Sequence, residues 1–282
     1  MKNRLIKTLN IKRFKLVLLL EGLLVGILAG LVIVGYRICL TNGALWLQRI
    51  LAYCKQSIFT IIIWFVILFV IALVVTKLLD WESLISGSGI PQLEGELAGK
   101  IDAKWWRVLI AKFFGGFLAN FSGLALGREG PSIQLGAMVG KGIGKVLKRG
   151  KTEERYLLTC GASAGLAAAF HAPLAGVMFA LEEVHKHFSA PLLISVMTSS
   201  IAADYLMSSI LGMAPVFSFN IHGTLPTQYY WMVIILGIIL GLLGAFYNKA
   251  LLFVQSLYNH SKHLNNYTKL LIPCLLYTSP SP

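Results

Sequence analysis

Residues 58–75 read IFTIIIWFVILFVIALVV, a stretch without a single charged side chain. As a helix, this stretch is long enough to cross the hydrocarbon core of a bilayer, which is roughly 30 Å thick. Residues 16–36 carry only Glu21 as a charge and residues 231–247 carry none, so both predict further spanning helices. Helices of water-soluble proteins are seldom this apolar on every face. The sequence therefore predicts an integral membrane protein.

The composition and the placement of charge support the same class. The chain is 56% hydrophobic and only 13% charged, with a net charge of +13. The basic residues flank apolar spans instead of forming an amphipathic surface, which argues against a nucleic-acid partner. By the positive-inside rule, the basic segment 1–15 predicts a cytoplasmic N-terminus in the plasma membrane. The apolar stretch that follows is too long for a secretory signal peptide.

Cysteines and histidines do not form the pattern of a metal site. The 4 cysteines lie far apart in the sequence, and we interpret them as apolar packing residues. His185 and His187 are two residues apart, and side chains with that spacing do not converge on one ion in a helix. We expect neither a metal nor a cofactor.

The hydropathy pattern of the chain changes between Ser86 and Ser189, where short apolar stretches alternate with glycine-rich and charged breaks. Transporters use such interrupted segments where half-helices end inside the membrane around a binding site. Irregular backbone at that depth is buried in protein or lines a wet cavity. The alternative interpretation is a set of soluble loops and amphipathic helices.

A spacing pattern in the first apolar span recurs in the last one. Either an inverted repeat or a chance match between membrane helices accounts for it. Under the repeat interpretation, residues 16–222 form a first repeat, residues 223–273 begin an incomplete second repeat, and residues 274–282 are a foreign or disordered tail. The matching residues are Gly26, Gly30 and Tyr36 in the first span and Gly237, Gly241 and Tyr247 in the last.

Two glycine-rich motifs, GSGIP at residues 87–91 and GREGP at residues 127–131, share one physical logic. Each places flexible backbone before a proline, Pro91 or Pro131, in the first turn of a predicted helix. The unpaired N–H groups and positive dipole end of such a helix form an anion site. Ser88 adds a hydroxyl donor. Taken alone, Gly-Ser-Gly is also a common turn.

Glu129 lies at the start of the second of these predicted helices. A carboxylate there is held by the same donors that would hold an anion, so it can compete with the anion for the site. Protonation removes its charge and lets the side chain move away, which would couple proton movement to anion movement. The alternative is that Glu129 neutralises Arg128, although consecutive residues on a helix do not face each other.

Three motifs together, GSGIP, GREGP and the run GASAGLAAAFHAPLAGVMFALEE at residues 161–183, resemble the CLC family of chloride channels and chloride/proton antiporters, in its bacterial form. They occur in that family's order, and the resemblance covers about residues 16–260. It implies an all-α, multi-span fold with tilted and broken helices, of which this chain would form the first, N-terminal half.

The resemblance also implies roles for particular residues. Glu129 would be the external gating glutamate, and Glu183 the cytoplasmic glutamate that passes protons. Glu182 would lie beside the intracellular water path, or else be an interfacial charge near Lys186. Lys112 would be a buried positive charge. The chloride site would be formed by Ser88, Gly89, Ile90, Arg128 and Gly130.

Glu129 and Glu183 together favour chloride/proton antiport, and a passive chloride channel is the alternative. The transported species would be chloride and protons, and the intact protein would be a homodimer. The family's second-half GxFxP helix terminus and late tyrosine have no counterpart here. We therefore expect the chain to be C-terminally truncated and inactive by itself.

An enzymatic alternative rests on residues 161–165, GASAG, which fit the G-x-S-x-G pattern of serine hydrolases. That motif needs a strand-turn-helix elbow with an acid and a histidine within reach. Here it lies in an alanine-rich helical run, where small residues are better explained by close helix packing. We expect the protein not to be an enzyme.

Overall fold

The structure is a computed structural model that describes residues 2–55, 57–124, 126–212 and 226–260. The predicted boundary between residues 222 and 223 and the predicted tail at 274–282 lie outside these ranges. The described ranges contain helices and no strands, which confirms the all-α prediction. The helices are α1 (Lys2–Cys54), α2 (Ile58–Trp81), α3 (Ile90–Leu97), α4 (Trp105–Phe121), α5 (Glu129–Val146), α6 (Lys151–Phe170), α7 (Pro173–Phe179), α8 (Ala190–Leu211) and α9 (Tyr230–His260).

Four helical stretches in the described ranges are long and apolar enough to cross a membrane. Three of them contain the predicted spans at residues 16–36, 58–75 and 231–247. The fourth, Ala190–Leu211, was missed because serines and Asp204 interrupt its apolar sequence. Oδ1 of Asp204 lies 3.2 Å from Nδ1 of His171.

The region between Ser86 and Ser189 is built from short and interrupted helices, as predicted. α3 and α7 have only 8 and 7 residues. A π-helical segment, Ala180–His185, follows α7 directly, and we call it the π segment. His171 ends α6 in the left-handed conformation with φ of 55°, and Pro173 starts α7 in a new direction. These segments are folded and packed helices, not the soluble loops of the alternative interpretation.

Glycines bring α5 and α6 into backbone contact through the centre of the molecule. A Cβ atom added to Gly161 would collide with the carbonyl of Gly136, and one added to Gly165 would collide with the carbonyl of Ser132. The GASAG run is thus a helix-packing surface, as small residues commonly are in membranes. Ser163, its central residue, is fully buried, and its hydroxyl lies 3.3 Å from that of Ser200.

The matching glycines of the first and last spans have different surroundings. Gly26 and Gly30 of α1 lie against the backbone of Ser199 and Ala203 in α8. Gly237 and Gly241 of α9 have no atom of the described residues within 4 Å of a built Cβ. The glycines that match in spacing are therefore not packed in the same way in α1 and α9, and the internal repeat stays a prediction.

One end of the helix assembly carries many basic side chains, and we call it the basic face. Arg149, just after α5, pairs with Glu21 near the start of the first span. Lys145 pairs with Glu154 at 3.3 Å across the α5–α6 turn. The basic face therefore contains the start of the α1 span, the end of α5 and the start of α6. Lys148 and Lys151 extend it.

Candidate functional site

The two predicted anion-binding motifs meet in space. A Cβ atom added to Gly130 would lie 2.6 Å from the carbonyl oxygen of Ser88 and 3.1 Å from its Cα. Only glycine at position 130 permits this approach, because any side chain would displace the Ser88 backbone. The starts of α3 and α5 consequently converge at one place, which sequence spacing alone could not predict.

The GSGIP loop has the backbone geometry of a tight turn that starts a helix. Gly89, the N-cap of α3, adopts a φ of 94°, a conformation that strongly favours glycine. Its carbonyl accepts the first helical hydrogen bond, from the Leu93 N–H at 3.1 Å. The Ile90 N–H points to the Ser88 hydroxyl at 3.4 Å, and Ser88 itself is exposed. The Ser88 hydroxyl is therefore at the surface of this chain.

Lys112 of α4 is hydrogen-bonded to the backbone of the GSGIP loop and of the residues just before it. Its side chain is buried, and Nζ donates to the carbonyl oxygens of Ile85 at 2.8 Å and Gly87 at 2.7 Å. The predicted burial of this lysine is thus observed, and its role as a positive charge stays a prediction. Two short charge-assisted hydrogen bonds thus hold the carbonyls of Ile85 and Gly87, while Ser88 stays exposed.

Glu129 is the first residue of α5 and is half-buried. Within the described ranges, its carboxylate makes no hydrogen bond or ion pair, so the alternative pairing with Arg128 is not formed. One carboxylate oxygen lies 2.7 Å from the position of a Cβ built on Gly127. A larger residue at position 127 would limit the movement of that carboxylate.

Arg128 precedes Glu129 as the N-cap of α5 and is half-buried. Its carbonyl accepts the Ser132 N–H at 3.0 Å and the Ser132 hydroxyl at 2.8 Å. Pro131 lies between them in the first turn. The carbonyl of Arg128 thus points into the helix. The N–H groups at the start of α5 lie next to Glu129.

Glu182 and Glu183 are exposed on the π segment. Together with Phe179 and Ile90, they line a cavity of about 330 Å³. The predicted cytoplasmic glutamates and the first residue of α3 are therefore next to each other. The alternative partner of Glu182, Lys186, lies instead 3.5 Å from Glu94.

Two polar residues that support this region were missed in the sequence. Gln134 of α5 packs against Gly89 and donates to the Leu84 carbonyl at 2.9 Å. Lys141 of α5 is fully buried and pairs with Glu96 of α3 and, at 2.7 Å, with Asp102. A lysine inside the glycine-rich run GAMVGKGIG was the available signal, since a buried lysine requires a partner.

A chain with several apolar spans, short broken helices and two helix starts facing each other belongs to the class of polytopic membrane proteins. Comparison with known proteins gives the family. The sequence model of the voltage-gated chloride channel family, Voltage_CLC, matches residues 69–280, so the chain belongs to that family. The resemblance inferred from the three motifs is confirmed.

Similar curated proteins are exchange transporters. The H(+)/Cl(-) exchange transporter ClcA of Citrobacter koseri is 34% identical over 255 residues, covering 86% of this chain and 52% of the relative. ClcA of Salmonella arizonae is 35% identical over 271 residues, covering 91% of this chain and 56% of the relative. The chain thus spans about half the length of the curated relatives it matches.

Solved structures give the same fold. The crystal structure of a slow cyanobacterial Cl⁻/H⁺ antiporter matches with a TM-score of 0.85 and 31% identity, over 94% of this chain and 64% of that one. A CLC-type fluoride/proton antiporter matches with a TM-score of 0.71 at 20% identity, over 93% of this chain and 64% of that one, which supports the fold alone. The all-helical, multi-span CLC architecture is therefore the fold of this chain.

The hydrolase alternative has no structural support. Residues 161–165 lie within α6, so the strand-turn-helix elbow that the G-x-S-x-G motif requires is not formed around Ser163. The relatives are transporters.

Proposed function

We propose that the intact protein exchanges chloride for protons and that this chain supplies the anion-binding helix starts and both proton-handling glutamates. The observation that carries the proposal is the convergence of α3 and α5, where Gly130 lies against the Ser88 carbonyl and Glu129 stands beside it without a partner in the described ranges. This convergence supports a site in which helix-start donors would hold an anion and the Glu129 carboxylate would replace it.

The path of protons is the second part of the proposal. The cavity shared by Ile90, Glu182 and Glu183 would connect the anion site to the basic face. A carboxylate exposed in that cavity can take up a proton from water and pass it toward Glu129. The relatives named as H(+)/Cl(-) exchange transporters support exchange over passive conduction.

The test is proton uptake by liposomes that contain the full-length protein under an imposed chloride gradient. Exchange predicts proton movement against its own gradient, driven by chloride. A Glu183→Gln variant is expected to retain chloride flux while losing most proton movement. Wild-type chloride flux without any proton movement would instead establish the passive channel.

We also propose that the N-terminus is cytoplasmic and that the membrane is the plasma membrane. The support is the basic face, which brings the start of the α1 span together with Lys145, Lys148, Arg149 and Lys151. Positive charge concentrates on the cytoplasmic side of membrane proteins. The family supports a homodimer, and two-step photobleaching of the labelled protein in lipid would test it.

A further inference from the structure

A second cavity, distinct from the one at Glu183, lies on the side of α3 that faces the π segment. Its volume is about 660 Å³. The end of α3 and the loop after it form one wall, and the π segment with the residues after it forms the other. The charged and titratable lining residues are Glu94, Lys100, Arg155, His185, Lys186 and His187.

The charges in this cavity are unbalanced. Glu94 is the one acid among the lining residues, and it already forms an ion pair with Lys186 at 3.5 Å. Lys100, Arg155 and His187 make no ion pair within the described ranges. Burial, followed by the charges of His187 and Arg155, lowers the pKa of His185. A bound anion would relieve the repulsion among these positively charged groups.

The basic groups are held by folded elements. The Arg155 guanidinium lies close to Gly99, with Nη2 3.0 Å from a built Cβ. Gly99 itself has a φ of 74°. Lys186 ends the π segment in the left-handed conformation, and its N–H donates to the Leu181 carbonyl at 3.0 Å. The backbone that carries Lys186 is therefore defined by a hydrogen bond, and the Arg155 guanidinium lies against the opposite wall at Gly99.

His185 has one ring nitrogen free for a ligand. Its Nδ1 lies 2.9 Å from the Thr159 hydroxyl, which itself donates to the Arg155 carbonyl at 2.9 Å. Because a hydroxyl has one proton to donate, Nδ1 must be the donor to Thr159. Nε2 then carries no partner in the described ranges and can become a second N–H donor when an anion favours protonation.

We propose that this cavity binds an anion that bears a phosphate group, contacted by Lys100, Arg155, His185 and His187. The planar guanidinium of Arg155 suits bidentate recognition of phosphate oxygens, and the lysine and histidines supply further donors. The volume is far larger than a single halide needs, and the cavity is distinct from the Ser88 site. The phosphate group belongs either to a soluble polyphosphate or to a lipid headgroup.

The first experiment measures binding of tripolyphosphate to the purified chain in nanodiscs of phosphatidylcholine. The Lys100→Gln/Arg155→Gln double variant removes two exposed charges from the cavity and is expected to weaken binding at least about tenfold. The control is Lys104→Gln/Lys151→Gln, which removes the same charge from exposed residues outside the cavity. It is expected to leave affinity within about threefold.

Equal affinity of the wild type and the cavity variant would overturn the proposal, and so would an equal loss in the control. The melting temperature of each variant, measured in the same nanodiscs, establishes that folding is retained. If the cavity variant does not fold, Lys100→Gln alone serves, with Lys104→Gln as its match. Neither result depends on transport, so the proposal stands or falls separately from chloride/proton exchange.

The second experiment separates the two sources of phosphate. Nanodiscs that also contain phosphatidylinositol phosphate are compared with those of phosphatidylcholine alone. If a lipid headgroup is the ligand, tripolyphosphate binding to the wild type weakens in these discs and that to the cavity variant does not change. Unchanged wild-type binding assigns the cavity to soluble phosphate, and equal weakening in both proteins contradicts a defined site.

Discussion

Among single residues, Lys141 shows most clearly how a charge is accommodated inside this protein. Its ammonium group is fully buried and is surrounded by the carboxylates of Glu96 and Asp102 and, at 2.7 Å, the carbonyl of Ala103. Removing only one member of such a group leaves an uncompensated buried charge. The cluster joins α5 to the end of α3, so it holds together the two helices whose starts form the candidate anion site.

Replacing Lys141 by Met is expected to lower the free energy of unfolding by about 3 kcal/mol, because the nearly buried Glu96 carboxylate loses its partner. In the double variant with Glu96→Gln, part of this loss is expected to return. Denaturation in detergent micelles gives both values, and a coupling energy of about 1 kcal/mol or more is expected from the cycle. If the losses of unfolding free energy in the two single variants add up to the loss in the double variant, the Lys141–Glu96 pair contributes no coupling energy.

Asp102 gives this cluster a pH dependence. The hydrogen bond from Lys141, followed by its charge, lowers the pKa of Asp102 in the folded protein. A carboxylate whose pKa is lowered on folding stabilises the protein above its unfolded pKa, and this contribution is lost as pH falls through the folded pKa.

The wild type is therefore expected to melt at a higher temperature than Asp102→Asn at pH 7. The difference is expected to shrink below about pH 4, the ordinary range of aspartate. Melting curves between pH 7 and pH 3 measure it. A difference that grows on acidification would contradict the assigned direction. Because the Asp102 side chain is 84% exposed, the effect is expected to be small.

At the level of elements, α6 packs closely against α5, the helix whose start forms part of the candidate site. Gly136, Gly161 and Gly165 remove the side chains that would separate these helices. The apolar spans could be predicted from composition, because lipid requires long uncharged helices. The contact of Gly130 with Ser88 could not be predicted, because it depends on the packing of the helices and not on spacing along the chain.

A larger residue at Gly161 is expected to force α5 and α6 apart. Gly161→Leu should lower the melting temperature in detergent strongly, because overpacking a tight contact costs about 1–3 kcal/mol or more. Gly237→Leu is the matched control, since a Cβ at Gly237 in α9 meets no described atom within 4 Å. Equal melting temperatures for the Gly161 variant and the wild type would show that the contact is not close.

For the whole molecule, the sequence predicted the class, the fold and the motifs but not the polar framework. The motifs were recognisable because half-helix starts need glycine and proline at fixed positions. The Ala190–Leu211 span escaped prediction because Asp204 interrupts its apolar sequence, and the His171 ring beside Asp204 comes from a distant part of the sequence. Lys141 and Gln134 escaped for the same reason, since their partners lie on other helices.

The central claim is that the Glu129 carboxylate and a chloride ion compete for the donors at the start of α5. The most direct measurement is proton movement driven by a chloride gradient in liposomes containing full-length Glu129→Gln protein, with Glu153→Gln on the basic face as the control. Because glutamine cannot carry the proton, the account predicts that chloride flux continues while coupled proton movement disappears, and that the control behaves like the wild type. Proton movement coupled to chloride in the Glu129→Gln protein would contradict the account.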